Sequence, residues 1–288
     1  MLKMKKGQAV SQVALYTVLF LFALFCVIPL LLAISITFSD GDSIMRNGYK
    51  LIPEKWSIDA YRVLFSNFTG IWRAYGVSLF VTFFGLASSL LVTILVAYPL
   101  SVIDFRFRGF VSFFVFFTMM FSGGTISYYI FTVKYLGMKN NIWVLVVTQI
   151  LVPSNVFLLR TFFSAVPDSI YESARLDGAG EYAILFRIAV PLTFPGIITI
   201  GLFIVLQYWN DYITGMLFID VQTMYPLQLL LYKYSNYIKD LTYGSGSLPA
   251  DESLLFAMCV IATVPMLVVF MFFQKYFVRG LTSGAVKE

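Results

Sequence analysis

Long apolar runs with almost no charged residues are the feature that most constrains this chain. Six such runs are present, and each has the ~20 residues that a helix needs to cross the hydrocarbon core of a bilayer. Because a backbone surrounded by lipid must satisfy its own hydrogen bonds, runs of this length predict helices. The sequence therefore predicts an all-α, polytopic membrane protein with six transmembrane helices in one domain, residues 1–288. The predicted spans are residues 13–38, 74–103, 109–133, 140–160, 188–218 and 253–276.

Composition agrees with a membrane protein and excludes several function classes. Only 12% of the residues are charged and 59% are hydrophobic, whereas a soluble domain is about a quarter charged. Basic cytoplasmic ends explain the net charge of +5 better than a nucleic acid partner does. The chain has no histidine and no phosphate-binding GxxxxGK[ST] motif. We therefore expect contact with membrane lipid, no nucleic acid, no catalytic residue, no metal site and no cofactor held by this chain.

The positions of the basic residues predict the orientation in the membrane. Residues 1–12 carry three lysines, and the apolar run that follows is too long for a cleaved signal peptide. Arg106 and Arg108 form a short basic turn on the same side of the membrane as this N-terminus, as the positive-inside rule requires. Both termini are then cytoplasmic. This orientation predicts a cytoplasmic loop over residues 165–190 and extracytoplasmic loops over residues 39–73 and 220–252.

The central cytoplasmic loop contains local signals for structure. Its charged residues would each cost a few kcal/mol at the centre of a membrane. Ser169 and Glu172 have the spacing of a capping box, which predicts a helix start just after Pro167. Gly178 is placed to turn the chain, and a second short helix is predicted before Pro191. The pattern indicates two short helices outside the membrane, which is typical of a docking element.

A spaced motif in this loop resembles a known one. Glu172-Ser173-Ala174, then Gly178, then Ile188-Ala189-Val190-Pro191 resemble the EAA loop of permease subunits of ABC importers. That pattern is E-A-A, three residues, G, nine residues and I-x-L-P, so Ser173 and Val190 are mild departures from it. Asp177-Gly178-Ala179 and Phe186 are similar to the branch of the family that takes up carbohydrates.

The resemblance implies a fold, a mechanism and a set of partners. It implies the type I ABC importer permease fold in the bacterial cytoplasmic membrane, and transport by alternating access. The loop would lie in a groove of a dimeric cytoplasmic ABC ATPase, which would bind ATP and Mg. A second, non-identical permease subunit and an extracytoplasmic solute-binding protein would complete the complex. The residues implied in coupling to the ATPase are Glu172, Ser173, Ala174, Asp177, Gly178, Ala179, Ile188 and Pro191.

The resemblance extends over nearly the whole chain. Residues 121–124 and 135–143 look like the outer half of the third span and the loop after it in the carbohydrate branch. Many relatives have an Ile-Pro pair where this chain has Ile126-Ser127. The tail at residues 274–287 is similar to that of the second permease of maltose-type importers, closest to the lipoprotein-type subgroup. This similarity implies an oligosaccharide as the substrate.

Carbohydrate passage through a membrane requires hydroxyl-bonding groups and aromatic faces. The densest group of such residues is Gln207-Tyr208-Trp209-Asn210-Asp211, near the outer part of the fifth span. An acid beside an apolar run is by default a functional-site hypothesis. The alternative interpretation is that these aromatics are interfacial anchors. Further pathway candidates with a weaker signal are Gln149, Asn155 and Tyr128, and the two amides are equally explained by hydrogen bonds between helices.

Three other functions stay open at this point. An ion-gradient-driven secondary transporter needs ionisable relays within its spans, and here the spans are nearly free of charge. A membrane-bound enzyme is disfavoured by the absence of histidine and of carboxylate clusters within spans. An ABC permease for a non-sugar solute remains an alternative. Dependence on partner subunits for stability would separate an ABC permease from a carrier that is stable alone.

Overall fold

The computed structural model describes residues 6–67, 70–245 and 252–285. Regular structure in these ranges is helical, apart from an isolated antiparallel bridge between Ser39 and Trp56. Two π-helical turns follow α6 and α10 directly. In chain order the helices are α1 (Lys6–Thr37), α2 (Gly41–Asn47), α3 (Asp59–Asn67), α4 (Gly70–Ser101), α5 (Arg108–Met120), α6 (Gly124–Ile130), α7 (Val144–Val147), α8 (Pro153–Ser164), α9 (Asp168–Leu176), α10 (Glu181–Ile184), α11 (Val190–Leu192), α12 (Phe194–Asn210), α13 (Ile213–Phe218), α14 (Leu227–Ser245) and α15 (Glu252–Ala285).

Three helices among the described residues are long and apolar enough to cross a membrane alone. They are α4 and the parts of α1 and α15 at Ala14–Thr37 and Glu252–Gln274. These helices lie over the predicted first, second and sixth spans. The predicted outer loops are partly helical, since α2 and α3 lie in the first, α14 lies in the second, and α4 begins before residue 74.

Two further membrane segments are sharply bent. Helices α5 and α6 meet at 112°, with the break at residues 121–123 where the third span was predicted to be continuous. The helix over Glu181–Leu192 meets α12 at 84°. With these two bent pairs the described residues hold up to five spans by length and composition. The helix over Glu181–Leu192 carries the charged residues Glu181 and Arg187. Charged side chains are costly within lipid, so we assign only α12 of this pair to the membrane.

The predicted fourth and fifth spans are each interrupted. The fourth is divided into α7 and α8, because Val152 is extended (φ −107°, ψ 113°) and Pro153 begins a new helix. In the fifth, α12 ends at Asn210, Asp211 is extended, and α13 begins at Ile213. The predicted span over residues 188–218 therefore starts before the bend, in the π-helical turn and α11. After the bend it is divided into α12 and α13.

Large apolar side chains cover the outside of the membrane helices. Phe25 on α1, Phe110 on α5 and Phe272 on α15 are each at least 70% exposed. Apolar patches of this extent are rare on soluble monomers, and a helix that is apolar all round is typical of a membrane span. These faces are suited to contact with lipid or with other membrane subunits.

The described chain forms two compact units, one from residues 1–69 and 233–264 and the other from residues 70–232 and 265–288. In the first unit, Ser35 donates to the Lys50 carbonyl at 2.8 Å, which holds the turn after α1. The second unit is built on α4, which packs against α8 and α12. Its buried core includes Leu100, Phe163 and Ile200, and it contains every candidate site residue.

Candidate functional site: the coupling segment and the polar cluster

Residues 167–192, which we call the coupling segment, begin with helix α9. Pro167 precedes the helix with extended ψ (131°), and its carbonyl accepts the Ile170 N–H at 3.1 Å. The predicted capping box is wrong: Ser169 lies inside the helix, and no side chain caps its described N-terminus. The physical reason is that proline fixes its own φ and the helix starts at Asp168, two residues too early for Ser169 to serve as the cap. Asp168 instead places an acid in the first turn, where the helix dipole favours it.

The C-terminus of α9 forms a Schellman motif that is centred on Gly178. The Ala179 N–H donates to the Ala174 carbonyl and the Gly178 N–H donates to the Arg175 carbonyl, both at 3.0 Å. Gly178 has a φ of +80°, a conformation that glycine adopts without steric cost. Among the described residues, no atom of this chain lies within 4 Å of the place that a Cβ at Gly178 would take. The predicted turn at Gly178 is confirmed, and its outer side is open.

The two faces of α9 differ in burial. Tyr171 and Ala174 are buried against the rest of the chain, and the Tyr171 ring packs edge-on against Tyr98 of α4. Burial raises the pKa of the Tyr171 hydroxyl. On the outer face, Glu172 is exposed and Leu176 is 88% exposed. The segment therefore presents an acid and an apolar side chain outward, next to the turn at Gly178.

The predicted coupling residues fall on both faces. Ser173 is exposed and donates to the Ser169 carbonyl at 2.8 Å, and Asp177 is an exposed residue just after α9. Ile188 is half-buried in the π-helical turn Leu185–Ala189, and Pro191 is exposed in α11. Glu172, which was also predicted to cap its own helix, makes no capping hydrogen bond in the described structure. Its side chain is thus available to a partner.

The bend after α11 sets the angle between the coupling segment and α12. Thr193 lies at the bend, and both its N–H (3.0 Å) and its Oγ1 (2.7 Å) donate to the Ala189 carbonyl. Pro191 and Pro195 flank it, and neither has an N–H with which to continue a helical ladder. These contacts hold the end of the coupling segment to the start of α12.

Glu181 joins three elements of the second unit. Its Oε1 accepts from Arg175 Nε of α9 at 2.9 Å, and its Oε2 accepts from Tyr98 Oη of α4 at 3.0 Å. The Arg175 guanidinium, together with the Tyr98 hydroxyl, holds the pKa of the Glu181 carboxyl below its ordinary value. A cavity of about 690 Å³ lies beside these three residues and is also lined by Phe105 and Tyr182.

A cluster of polar side chains lies at the other end of α12, and we call it the polar cluster. The amide nitrogen of Gln149 donates to the Asp211 carboxylate and to Thr214 Oγ1 (3.0 Å). The oxygen of the same amide accepts from Gln207 Nε2 at 2.9 Å. Asp211 Oδ1 also accepts the Thr214 N–H at 3.1 Å. The structure thus joins the predicted pathway residues Gln149, Gln207 and Asp211, which are far apart in the sequence.

Two of the predicted pathway residues are packed inside the chain. Tyr208 is 3% exposed, and its hydroxyl donates to the Val146 carbonyl at 2.8 Å. Because its one proton is used in that bond, the Tyr208 hydroxyl accepts a hydrogen bond from Ser89 Oγ, which lies 2.9 Å away. Trp209 is 2% exposed and packs near Tyr75. Asn210 is exposed and donates to the Leu206 carbonyl at 2.9 Å. Asn210 is therefore exposed on this chain, whereas the two aromatic rings are buried in it.

The remaining pathway candidates are Asn155 and Tyr128. Asn155 is buried near the start of α8, where its backbone N–H donates to the Val152 carbonyl at 3.0 Å. Tyr128 on α6 packs edge-on against Phe218, with ring centroids 5.3 Å apart. The burial of Asn155 is typical of a residue that positions helices, whereas Tyr128 is 36% exposed.

Comparison with known proteins gives the family. Residues 66–283 match the family described as binding-protein-dependent transport system inner membrane component. The chain belongs to this family. It is therefore a membrane-embedded permease of a binding-protein-dependent transport system, and the ion-gradient-driven carrier finds no support. Family membership also implies an ATPase and a solute-binding protein as partners.

The permease is similar to several curated proteins over nearly its whole length. It is 38% identical over 278 residues to the polygalacturonan/rhamnogalacturonan transport system permease protein YtcP of Bacillus subtilis, which covers 95% of this chain and 96% of that protein. It is 34% identical over 266 residues to protein LplC of the same organism, covering 91% and 89%. An arabinooligosaccharides transport system permease protein, AraQ of Halalkalibacterium halodurans, is 30% identical, covering 95% and 96%.

A solved structure gives the same fold for the permease. A chain in the crystal structure of a bacterial ABC transporter involved in the import of the acidic polysaccharide alginate superposes with a TM-score of 0.81 and 26% identity. The match covers 96% of this chain and 100% of that one. The predicted all-α ABC importer permease fold is confirmed by this likeness together with the family match.

Sequence reasoning missed the contacts that organise the permease around its candidate sites. Glu181 was not singled out, although it starts a helix directly after Gly180. Its partners Arg175 and Tyr98 lie six and 83 residues away in the sequence, so no local pattern indicates them. Ser89 and Thr214 were missed for the same reason, since a single Ser or Thr in an apolar helix carries no signal of its own.

Proposed function

We propose that this permease is the membrane subunit through which an ABC importer moves an oligosaccharide into the cytoplasm. The relatives in the sequence comparison carry names for polygalacturonan/rhamnogalacturonan and arabinooligosaccharide transport. The solved chain of the same fold belongs to a transporter involved in the import of alginate, which is an acidic polysaccharide. The permease itself carries out no chemistry in this account, and ATP hydrolysis is performed by the partner ATPase with its bound ATP and Mg.

The exposed turn of the coupling segment is the observation that supports the proposal most. Gly178 at φ +80° ends α9 in a Schellman motif, with open space beside it. Leu176 and Tyr182, on either side of the turn, are 88% and 77% exposed. An apolar surface of this kind on a charged helical segment is typical of a protein contact. The ATPase is the proposed occupant, with Glu172 facing a cation in its groove.

This contact defines the proposed orientation. The coupling segment would lie on the cytoplasmic side, as would both termini of the chain. The polar cluster lies beyond the other end of α12, whose 17 residues extend about 25 Å. It would then lie towards the outer side, where a solute-binding protein delivers its ligand. Exposed apolar faces on α1 and α5 are suited to lipid and to a second, non-identical permease subunit.

The proposed solute contacts are fewer than the sequence pattern indicated. Asn210 is exposed, and Gln149, Gln207 and Asp211 are half-buried. Amide and carboxylate groups of these residues are suited to bonding sugar hydroxyls, since transport pockets place few polar groups among many apolar ones. Tyr208 and Trp209 act in this account as packing residues that fix the end of α12.

Reconstitution tests the proposed function. The permease is purified with its partner permease, ATPase and solute-binding protein, and the complex is placed in liposomes. Galacturonate oligomers, rhamnogalacturonan fragments and arabino-oligosaccharides are offered, with an amino acid mixture as the non-sugar control. We expect at least one glycan class to stimulate ATP hydrolysis and to accumulate inside. Stimulation by the amino acids alone, or uptake driven by an ion gradient without ATP, contradicts the proposal.

A further inference from the structure

The carboxylate of Glu181 accepts hydrogen bonds from two separate helices. One oxygen accepts from Arg175 of α9 at 2.9 Å and the other accepts from Tyr98 of α4 at 3.0 Å. Hydrogen bonds to an ionised carboxylate are shorter and about twice as strong as neutral ones. Glu181 thus links the helix that carries the coupling motif to a 32-residue membrane helix. We call Arg175, Glu181 and Tyr98 the Glu181 clamp.

Helix α4 continues from the clamp to the region of the polar cluster. Ser89 lies on the same helix as Tyr98, about 14 Å along its axis at a rise of 1.5 Å per residue. Ser89 and Gly85 both contact Tyr208 of α12, beside the end of α12 that carries Gln207 and Asp211. A rigid helix therefore connects the clamp with the packing of the polar cluster. Such packed elements carry mechanical coupling between distant sites.

Among the described residues, the coupling segment is packed against α4 on one side of the clamp only, where the Tyr171 ring contacts Tyr98. The cavity of about 690 Å³ is lined by all three residues of the clamp and by Leu95 and Tyr182. Side chains in a close-packed interior hold their neighbours by contact on all sides. On the cavity side of the clamp this contact is missing in the described structure, and the hydrogen bonds of Glu181 connect the coupling segment to α4 there.

We propose that Glu181 is a positioning residue that transmits movement of the coupling segment to α4, and through α4 to the polar cluster. This inference rests on the proposed docking of the coupling segment to the ATPase. Glu181 itself faces the clamp, whereas Glu172 faces outward. Loss of Glu181 should leave the ATPase bound but weaken the response of the polar cluster to nucleotide.

The test uses a reporter cysteine at Asn210, which is exposed at the end of α12. Cys26 and Cys259 are replaced by serine, since both native thiols are exposed. Maleimide labelling of Asn210→Cys is measured in the full complex without nucleotide and after trapping with ATP and vanadate. We expect the change in labelling rate to fall at least threefold in Glu181→Ala and in Tyr98→Phe. Glu181→Gln, which keeps an oxygen for Tyr98, should restore part of the response.

A second ion pair provides the control. Asp59→Ala removes the Arg62–Asp59 contact of 3.1 Å on α3 and should leave the labelling response unchanged. A full response in both Glu181→Ala and Tyr98→Phe overturns the inference, as does release of the ATPase from either variant.

A further variant, Gly178→Val, distinguishes failure of this inference from failure of the proposed function. If Gly178→Val releases the ATPase while both clamp variants respond normally, only the proposed role of Glu181 is contradicted. If Gly178→Val keeps the ATPase and its full response, the docking role of the segment is wrong.

Discussion

The ring of Tyr208 on α12 fills the space that a side chain at Gly85 on α4 would need. A Cβ atom placed on Gly85 would lie 2.6 Å from Cε2 of that ring. The Tyr208 hydroxyl extends past α4 to the Val146 carbonyl, 2.8 Å away, and contacts Ser89 at 2.9 Å. This one tyrosine therefore fixes α4, α7 and α12 together at the level of the polar cluster.

Gly85→Ala is expected to destabilise the permease by about 1–3 kcal/mol, the usual cost of overpacking a close contact. The same substitution at Gly76, also on α4, is the matched control, because among the described residues no atom lies within 4 Å of its Cβ position. Gly76→Ala should be neutral or slightly stabilising. Thermal unfolding of the two purified variants in detergent checks the prediction, and equal melting temperatures would contradict the close packing of Tyr208 on Gly85.

Neighbouring residues Trp209 and Asn210 are expected to behave differently. Trp209 is 2% exposed, so Trp209→Ala should cost about 3–5 kcal/mol of stability and reduce the yield of assembled complex. Asn210→Ala should change stability by less than about 0.5 kcal/mol, yet it should lower oligosaccharide-stimulated ATP hydrolysis several-fold. Size-exclusion chromatography and ATPase assays separate the two effects. A native rate of stimulated hydrolysis in Asn210→Ala would place solute contacts elsewhere.

The sequence predicted those parts of the site that depend on local chemistry. The turn at Gly178 follows from glycine, and the two short helices around it follow from the helical spacing of their apolar residues. The cap at Ser169 was mispredicted because Pro167 competes for the helix start. Glu181, Ser89 and Thr214 were not found because each has a partner far away in the sequence, namely Tyr98, Tyr208 and Gln149. Long-range pairing of this kind leaves no local signal.

Hydropathy predicted where membrane segments lie but not their shape. The third span breaks at residues 121–123, just before Gly124, and the fourth at residue 152, just before Pro153. Apolar composition alone sets no angle between consecutive helices. Burial also divides the predicted pathway: Trp209 faces the core and Asn210 faces outward, although both lie in the same polar stretch. Only packing against α4 distinguishes them.

The Arg175–Glu181 pair gives a predicted pH dependence. Because Arg175 holds the pKa of Glu181 below its ordinary value, the pair stabilises the fold above the unfolded carboxyl pKa of about 4.3. This stabilisation is lost as pH falls through the lower folded pKa. Since both side chains are partly exposed, its size should be at most about 1 kcal/mol. The melting-temperature difference between the wild type and Glu181→Gln should therefore be largest near pH 7 and shrink towards pH 3.5. A difference that is constant over this range would contradict the pair as the cause.

Cysteine labelling in intact cells tests the proposed orientation. In a background without Cys26 and Cys259, cysteines at the exposed positions Asp42 and Ser169 lie in the predicted outer loop and in the coupling segment. A membrane-impermeant maleimide should label Asp42→Cys and leave Ser169→Cys unlabelled until the membrane is opened. The reverse pattern would place the coupling segment outside the cell, away from any ATPase.

The coupling role of Gly178 is the centre of this account. A valine at a φ of +80° strains the backbone by about 1–2 kcal/mol, and its side chain projects into space that no described atom of this chain occupies within 4 Å. Gly48 provides a matched control, because it has a φ of +71° and is equally open among the described residues. Gly48→Val should strain the backbone at least as much as Gly178→Val, because its ψ of −169° lies in a region that is almost restricted to glycine, but only Gly178→Val should disturb the contact with the ATPase.

Co-purification of the ATPase with the tagged permease measures this contact directly. We predict that Gly178→Val loses most of the bound ATPase and all uptake, that Glu172→Ala loses less, and that Gly48→Val keeps the wild-type amount. All three variants should still insert and pair with the second permease, since no membrane helix is changed. Retention of the ATPase at the wild-type level by Gly178→Val, with uptake at the native rate, would contradict the account.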